Sequence, residues 1–261
     1  MIDMHSHVFP NIDDGARSID ETFELIREAK NAGFEGIVLT SHYMENYYET
    51  DVKERKILLD IIKKNLREKN IDIDLYLGNE IYITDNIMKL LEERRACSIN
   101  DTSYVLFEMP LNVEPLNLYD VVYEMLQNKL VPILAHPERY SFIQKEPELV
   151  NDLIEKGVLM QANYGSIIGQ YGKKAQFIVK KFFENNMIHF LGSDVHRRNS
   201  IYTRMPQILE VLERTIGHEK LNELTTQNPK LVLNNKRITI EEPHTIELTL
   251  KEKIMMTIFK R

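Results

Sequence analysis

The chain has 261 residues, 43% of them hydrophobic, a formal net charge of −7 and a single cysteine. That length and apolar content suit one large core of (β/α)-barrel size, and the acidic balance without a basic stripe excludes a nucleic-acid binder. One cysteine, Cys97, excludes an intramolecular disulfide framework. No apolar run approaches the roughly 18 residues of a membrane span and the start, Met1-Ile-Asp-Met-His5, has no leader character, so no membrane insertion and a cytoplasmic location are expected.

In chain order, the stretch from Ile2 through His5 to His7 reads as a first buried strand, followed by a turn at Ile12-Asp-Asp-Gly15. Ser18 and Glu21 have capping-box spacing, and Phe23, Ile26, Ala29 and Ala32 recur at helical spacing until Gly33 stops the helix. Apolar runs follow at 34–40, 73–77, 104–107, 131–135, 158–162 and 188–192. Helical patterns stand beside them at 52–69, 86–95, 118–128, 146–156, 172–185 and 203–215. The alternation predicts an α/β fold of repeated βα units, a distorted seven-stranded (β/α) barrel when the first strand is included. Residues 1–261 read as a single domain. Within it 241–261, containing Glu241-Glu-Pro243 and an amphipathic stretch from Lys251 to Arg261, is expected to pack across the barrel, with partner docking as the alternative.

Nine metal-type side chains stand around the points where these runs give way to loop: His5, His7, Asp14, His42, Glu80, Glu108, His136, Asp194 and His196. Parallel strands in a barrel gather such ends at one mouth, so residues distant in sequence converge. His5-x-His7 is weak alone, although on an extended strand both imidazoles face one side. Joined by the later strand ends, it marks a metalloenzyme. Asp13 competes with Asp14, since either carboxylate can bond loop amides before Gly15. Glu108, ending Tyr104-Val-Leu-Phe107, would be costly to bury without a partner, and a metal is one. His189 lies inside its run rather than after it, and reads as structural or surface, like His218 and His244. Imidazole and carboxylate without thiolate suit manganese, iron or zinc.

Taken together, these stretches resemble the polymerase and histidinol phosphatase (PHP) superfamily, and within it the manganese-dependent protein-tyrosine phosphatases of bacterial capsule and exopolysaccharide operons. The resemblance runs from Met1 through His7 and Ile12-Asp-Asp-Gly15 to Thr40-Ser-His42, Gly78-Asn-Glu80, Phe107-Glu108, Ala135-His-Pro-Glu-Arg-Tyr140, Gln161-Ala-Asn163 and Gly192-Ser-Asp-Val-His196, almost the whole chain. It implies a PHP-type barrel with a metal site at the C-terminal strand ends, and Asp14 rather than Asp13 as the ligand. It also implies three divalent ions, manganese first, with iron or zinc as alternatives. One would be held by His5, His7, Glu80 and Asp194, a second by Glu80, Glu108 and His136, and a third by Asp14, His42 and His196. The implied partner is a phosphotyrosine protein, the polysaccharide-assembly tyrosine kinase, hydrolysed by a metal-activated hydroxide.

Arg139, three residues after His136, is placed for a bidentate grip on phosphate oxygens, the alternative being a rim ion pair with Glu138 or a neighbour. The family uses a second arginine after the last Asp-x-His. Arg197, Arg198 and Arg204 are the candidates, and Arg204, at the start of the pattern Met205-Pro-Gln, is preferred. Cysteine-nucleophile phosphatases need an arginine six residues after the cysteine, where this chain has Ser103, so that class is excluded. Two other readings share the metal site: a small-molecule phosphomonoesterase such as histidinol-phosphate phosphatase, and a non-catalytic kinase-binding module.

Overall fold

Short apolar runs become parallel strands, and the amphipathic stretches between them become helices that cover the outside of the sheet. The computed structural model describes residues 1–240 and 243–259; Glu241, Glu242, Lys260 and Arg261 of the expected tail lie outside the described residues. The strands are β1 (Ile2–Ser6), β2 (Gly36–Leu39), β3 (His42–Tyr43), β4 (Asp74–Leu77), β5 (Glu80–Tyr82), β6 (Tyr104–Glu108), β7 (Val131–Ala135), β8 (Leu159–Asn163) and β9 (Phe190–Gly192). They pair in parallel, in the orders β1-β2-β4 and β3-β5-β6-β7-β8-β9. The sheet curls until its two ends touch, where Ser6 bridges Val195 and the Asp194 N–H donates to the His5 carbonyl at 2.8 Å. The fold is therefore an α/β fold on a curled parallel sheet.

Among the described residues nine strands appear where seven runs were expected, because two breaks fall at the mouth. One separates Leu39 from His42 and the other Leu77 from Glu80. A fully buried arginine, Arg55, ties the breaks together: it donates to the Gly78 carbonyl at 2.7 Å, to Asn79 Oδ1 at 2.6 Å and to Cys97 Sγ at 3.0 Å. Asn79 Nδ2 in turn donates to the Ser41 carbonyl at 2.8 Å. A guanidinium in the core is tolerated only when acceptors meet it, so these contacts fix the kinks that aim His42 and Glu80.

Side-chain alternation divides the core. Ile2, Met4, Val38, Leu106, Ile133 and Phe190 fill the inside of the curled sheet, whereas Ile37, Leu39, Val105, Phe107, Leu134 and Leu191 pack in the cluster shared with the helices. Between Asp3 and Ser6 the register of β1 on β2 slips by one residue. Such a bulge re-aims side chains, and here His5 reaches the mouth although the preceding Met4 already faces inward.

Helix Ile19–Asn31 buries Phe23, Ile26 and Ala29 as its spacing predicts. Ser18 Oγ accepts from the Glu21 N–H at 3.1 Å, but Glu21 reaches back to the Arg17 N–H at 2.8 Å, so only half the expected box forms. In the tail, Ile246, Leu248 and Met256 join the main core, and helix Leu250–Ile258 is held to Lys181 through Glu252 at 2.8 Å. Among the described residues no helix is long and apolar enough to cross a membrane.

Candidate metal centre

All nine expected ligand-type residues arrive at one place. His5 and His7 come from β1 and its exit, His42 and Glu80 open β3 and β5, Glu108 ends β6, and His136 and Asp194 directly follow β7 and the loop after β9. A cavity of about 470 Å³ opens over them, with Asp14, His42, Glu80, Glu108, His136, Asp194 and His196 in its lining. A larger cavity, about 980 Å³, is lined by residues such as Phe183, Thr215 and Leu224 and contains none of the nine.

Backbone conformation is spent on this convergence. His136 (φ 36°) and Asp194 (φ 52°) both occupy the left-handed region, which costs a non-glycine residue of order 1–3 kcal/mol. The His136 N–H donates to the Gln161 carbonyl at 2.7 Å, which holds that residue in place. Gly192 permits a close approach, since a Cβ there would lie 2.5 Å from His5 Cβ and 2.7 Å from Gln161 Nε2.

His5 Nε2 and His7 Nε2 lie 3.0 Å apart. Each Nδ1 is committed elsewhere, His5 to Gln161 Oε1 at 2.7 Å and His7 to Asp13 Oδ2 at 2.9 Å. The Gln161 amide nitrogen is itself donated to the Ala162 carbonyl at 2.8 Å, so its oxygen faces His5. Both partners of Nδ1 are acceptors, which puts each hydrogen on Nδ1 and aims two Nε2 lone pairs at one another. That juxtaposition needs a cation, a proton or a metal ion.

Glu80 Oε2 stands 3.1 Å from His5 Nε2, 3.3 Å from His7 Nε2 and 3.0 Å from His42 Nδ1, while Asp194 Oδ1 is 3.4 Å from His7 Nε2. Among the described residues three sets of potential ligand atoms, each within 4.8 Å of one another, result: His7, Asp14, His42 and His196; His5, His7 and Glu80; and His42, Glu80 and Glu108. Glu80 is shared, as the resemblance implies. The grouping differs at three points: His7 also joins the Asp14, His42 and His196 set, Asp194 is absent from the set of His5, His7 and Glu80, and His42 takes the place of His136 beside Glu80 and Glu108, its Nδ1 approaching Glu108 Oε1 (2.9 Å) while His136 Nε2 meets Glu80 Oε1 (2.9 Å). His42 Nδ1, Glu80 Oε2 and His136 Nδ1 are buried without a hydrogen bond. Buried donor atoms of this kind normally have partners, and a divalent cation satisfies nitrogen and oxygen together. The residues fit a metal cluster.

Burial works against the charges of His42, His7, Glu80 and Asp194, and opposite charges outweigh it. For His42 the Glu80 and Glu108 carboxylates overcome desolvation and raise the imidazolium to about 10. Desolvation of His7 is likewise overcome, chiefly by Asp13, Asp194 and Glu80, leaving it well above the ordinary value. Glu80, despite burial, is held well below its usual range by His5 and His42, and Asp194 by Arg139 and His5. The same field that retains protons attracts metal ions, whose binding displaces those protons.

The two aspartates divide their work. Asp14 Oδ1 lies 3.2 Å from His196 Nε2 and 3.5 Å from His42 Nε2, among the ligand atoms. Asp13 instead accepts from His7 Nδ1, from the His42 N–H at 3.0 Å and from the Gly15 N–H at 2.9 Å. It orients rather than joins the cluster. Gln161 and Asn163 also orient, the latter donating to Asp194 Oδ2 at 2.7 Å. Their sequence signal was alternation along β8, which places both on the face leading to the mouth. Arg55 and Asn79 gave no comparable signal.

Arg139 Nη1 is 2.5 Å from Asp194 Oδ2, and its guanidinium sits 4.5 Å from the Tyr171 ring centroid. Glu138 is not its partner; that carboxylate is buried and accepts from the Asn163 N–H and Ser166 Oγ. None of the three later arginines lines the cleft. Arg204 is exposed, 3.4 Å from Gln170 Oε1; Arg197 donates to the Asp14 and His196 carbonyls; Arg198 pairs with Glu24 at 2.7 Å. His189 is buried, with Nδ1 accepting from the Met160 N–H at 3.0 Å, whereas His218 and His244 are exposed. Cys97 is buried, and desolvation pushes its thiol pKa up.

A family model described as capsular polysaccharide synthesis, CpsB/CapC, matches residues 1–234. The tyrosine-protein phosphatase YwqE of Bacillus subtilis (strain 168) is 32% identical over 247 residues, covering 95% of this chain and 97% of the relative. CpsB of Streptococcus pneumoniae, also a tyrosine-protein phosphatase, is 29% identical over 245 residues, 91% of this chain and all (100%) of its own. A solved structure from the work on these two proteins, described as metal-dependent tyrosine phosphatases, superposes with a TM-score of 0.90 at 32% identity over 95% of this chain and 100% of that one. Histidinol phosphate phosphatase of Lactococcus lactis, at 13% identity and a TM-score of 0.54 over 83% of this chain and 94% of its own, shares the fold.

Proposed function

The chain belongs to the CpsB/CapC family of capsular polysaccharide synthesis, and from that premise we propose that its cleft hydrolyses phosphotyrosine on a protein of capsule assembly. It is a metal-dependent tyrosine-protein phosphatase. The observation that carries this reading is the pair of facing imidazole lone pairs beside the shared Glu80, with Arg139 at the edge of the same floor.

We assign three divalent ions, manganese in the cell, to the sets His5, His7, Glu80 and Asp194; Glu80, Glu108 and His136; and Asp14, His42 and His196. When bound, the ions supply the Lewis acidity that makes water nucleophilic near neutral pH and offset charge on the phosphoryl oxygens. Asp13 and Gln161 keep the imidazole hydrogens turned away from the mouth, and Asn163 holds Asp194. Arg139 presents a planar fork of donors to the non-bridging oxygens, its plane steadied by Tyr171. A departing phenolate, with an ordinary pKa of about 10, needs less protonation than an alkoxide.

The substrate in this reading is a polysaccharide-assembly tyrosine kinase, and enzyme and substrate meet in the cytoplasm. We count β2 with β3 and β4 with β5 as interrupted staves, giving a seven-stave barrel, and treat 1–261 as one domain, a reading supported by a core cluster that runs from Val8 to Met256. The test is to strip the protein with chelator, reload it with manganese, iron or zinc, count ions by elemental analysis, and compare a phosphotyrosine peptide with histidinol phosphate. Three ions per chain and faster turnover of the peptide are expected. Preference for histidinol phosphate would replace the proposal with the small-molecule reading, and metal-loaded protein inert towards every phosphomonoester would leave only a binding module.

A further inference from the structure

The charged floor of the cleft has an apolar surround that phosphate binding alone does not require. On one side Met44 and Tyr48 close a tight hairpin, exchanging backbone hydrogen bonds at 3.0 and 2.9 Å across Asn46, whose φ is 68°. The Tyr48 ring stacks on the His42 imidazole, centroids 5.7 Å apart and planes 17° from parallel. On the other side Met109-Pro-Leu-Asn-Val113 runs along the rim. Leu111 and Val113 line the cavity yet remain 40% and 66% exposed, and Leu116 beyond them is fully exposed. Aliphatic side chains gathered in the open beside a site mark a surface that a ligand covers.

This second lip is held in place. The Leu111 carbonyl accepts from the Ser141 N–H at 2.8 Å, the Met109 N–H donates to the Tyr140 hydroxyl at 3.0 Å, and Asn117 Nδ2 donates to Asp85 Oδ1 at 2.7 Å. A wall fixed before binding adds affinity without an ordering cost. A phosphate ester seated on the floor must send its organic group out between the lips. An alkyl ester puts polar backbone there within a few bonds. A tyrosyl ester instead puts a flat apolar ring there, which matches one aromatic face and one aliphatic face.

We propose that Met44 and Tyr48 on one lip and Leu111 and Val113 on the other form the slot that receives the phenyl ring of phosphotyrosine and set the preference for aryl over alkyl phosphate esters. Leu116 lies farther out, where it meets the peptide flanking the ring. The inference rests on the phosphatase reading above and assigns the substrate selectivity of that site to named residues.

The experiment uses the metal-loaded full chain and the double variant Leu111→Ser, Val113→Ser, whose positions are exposed enough for the fold to be unaffected. Two ratios are measured: kcat/KM for phenyl phosphate over that for a phosphoserine peptide, and inhibition by benzylphosphonate over methylphosphonate, which reads binding without turnover. Both ratios should fall about tenfold in the variant, equivalent to about 1.4 kcal/mol of lost ring contact. Tyr48→Ala, read by the same ratios, should fall in parallel. Unchanged ratios in both variants, with wild type still active on phosphotyrosine peptide, would overturn the slot and leave the phosphatase reading standing. Wild-type protein inert on that peptide would overturn both.

Discussion

Replacing Asp13 with Asn tests whether the site is governed by residues that never touch the metal. The Asp13 carboxylate, its side chain fully buried, accepts three hydrogen bonds, from His7 Nδ1 (2.9 Å), the His42 N–H (3.0 Å) and the Gly15 N–H (2.9 Å). All three neighbours are donors. An amide of the same shape offers one acceptor atom and one NH₂ group, so in its better orientation it keeps His7 and His42 and sets a donor against Gly15. The carboxylate charge that polarises His7 is lost in either orientation. A hydrogen bond to a charged group is worth about 1.5–3 kcal/mol, and removing such an orienting partner typically costs about 10–100-fold in metal affinity. Calorimetric titration of chelator-stripped protein with Mn²⁺ should show that loss, and Asp13→Ala a larger one. Aryl phosphate turnover should largely recover at excess metal, because the lost function is retention of the ion. Manganese affinity within twofold of wild type in both variants would refute the reasoning and reduce Asp13 to a loop staple.

Arg139→Lys should behave in the opposite way: metal content stays normal while turnover falls by roughly 10² at any metal concentration, since a point charge replaces the planar fork; steady-state kinetics with elemental analysis checks it, and unchanged turnover would make Arg139 a rim residue. Gly192→Ala should both destabilise and impair metal binding, because the new Cβ falls 2.5 Å from His5 Cβ in a packed site; overpacking of about 1–3 kcal/mol lowers Tm by several degrees, read by thermal unfolding. His189→Asn should flatten acid sensitivity. Burial holds His189 down to about 3, against about 6.5 unfolded, so the unfolded chain binds the extra proton and stability drops as pH falls below 6.5. The Asn oxygen can still accept from the Met160 N–H, and the stability gap between wild type and variant should shift by about 2 kcal/mol between pH 7.5 and 5 in urea titrations; parallel curves would place the acid sensitivity elsewhere.

The metal-type residues were legible because they obey two sequence-visible rules. Strand runs end abruptly, and the residue that ends one carries a charge or imidazole that an apolar interior would reject. His5, His42, Glu108 and His136 all met that description. The strand count was less legible, because the two breaks are bonded together by a single buried side chain, Arg55, lying in a helix rich in charged residues. Arg55 falls on the buried stripe Val52, Leu59, Ile62 and Leu66 at helical spacing, whereas Lys53, Glu54 and Lys56 lie off it and are exposed; the period marks the position as inward-facing, but not the acceptors at Gly78 and Asn79 that meet the guanidinium.

Orienting residues escape sequence reading for a related reason. A ligand is recognised by its chemistry, but an orienting residue is recognised only by which atom it faces. Asp13 and Asp14 are chemically identical and adjacent, yet one lies among the ligand atoms and the other bonds the far side of His7, a difference set by the turn that Gly15 allows, where a Cβ would meet the His7 carbonyl at 2.2 Å. The same holds for the arginines. Arg197, Arg198 and Arg204 stand in the segment where a second phosphate-binding group was expected, but Arg197 is held by the carbonyls of Asp14 and His196 and Arg198 by Glu24. Acceptors outside the segment 197–204, on Asp14, His196, Glu24 and Gln170, hold these guanidinium groups away from the cleft lining, whereas Arg139, on the turn that follows β7, has Asp194 before it and Tyr171 beneath it. Selection among equal chemistries is thus made by backbone turns and packing, and charge alone does not determine which arginine lines the cleft.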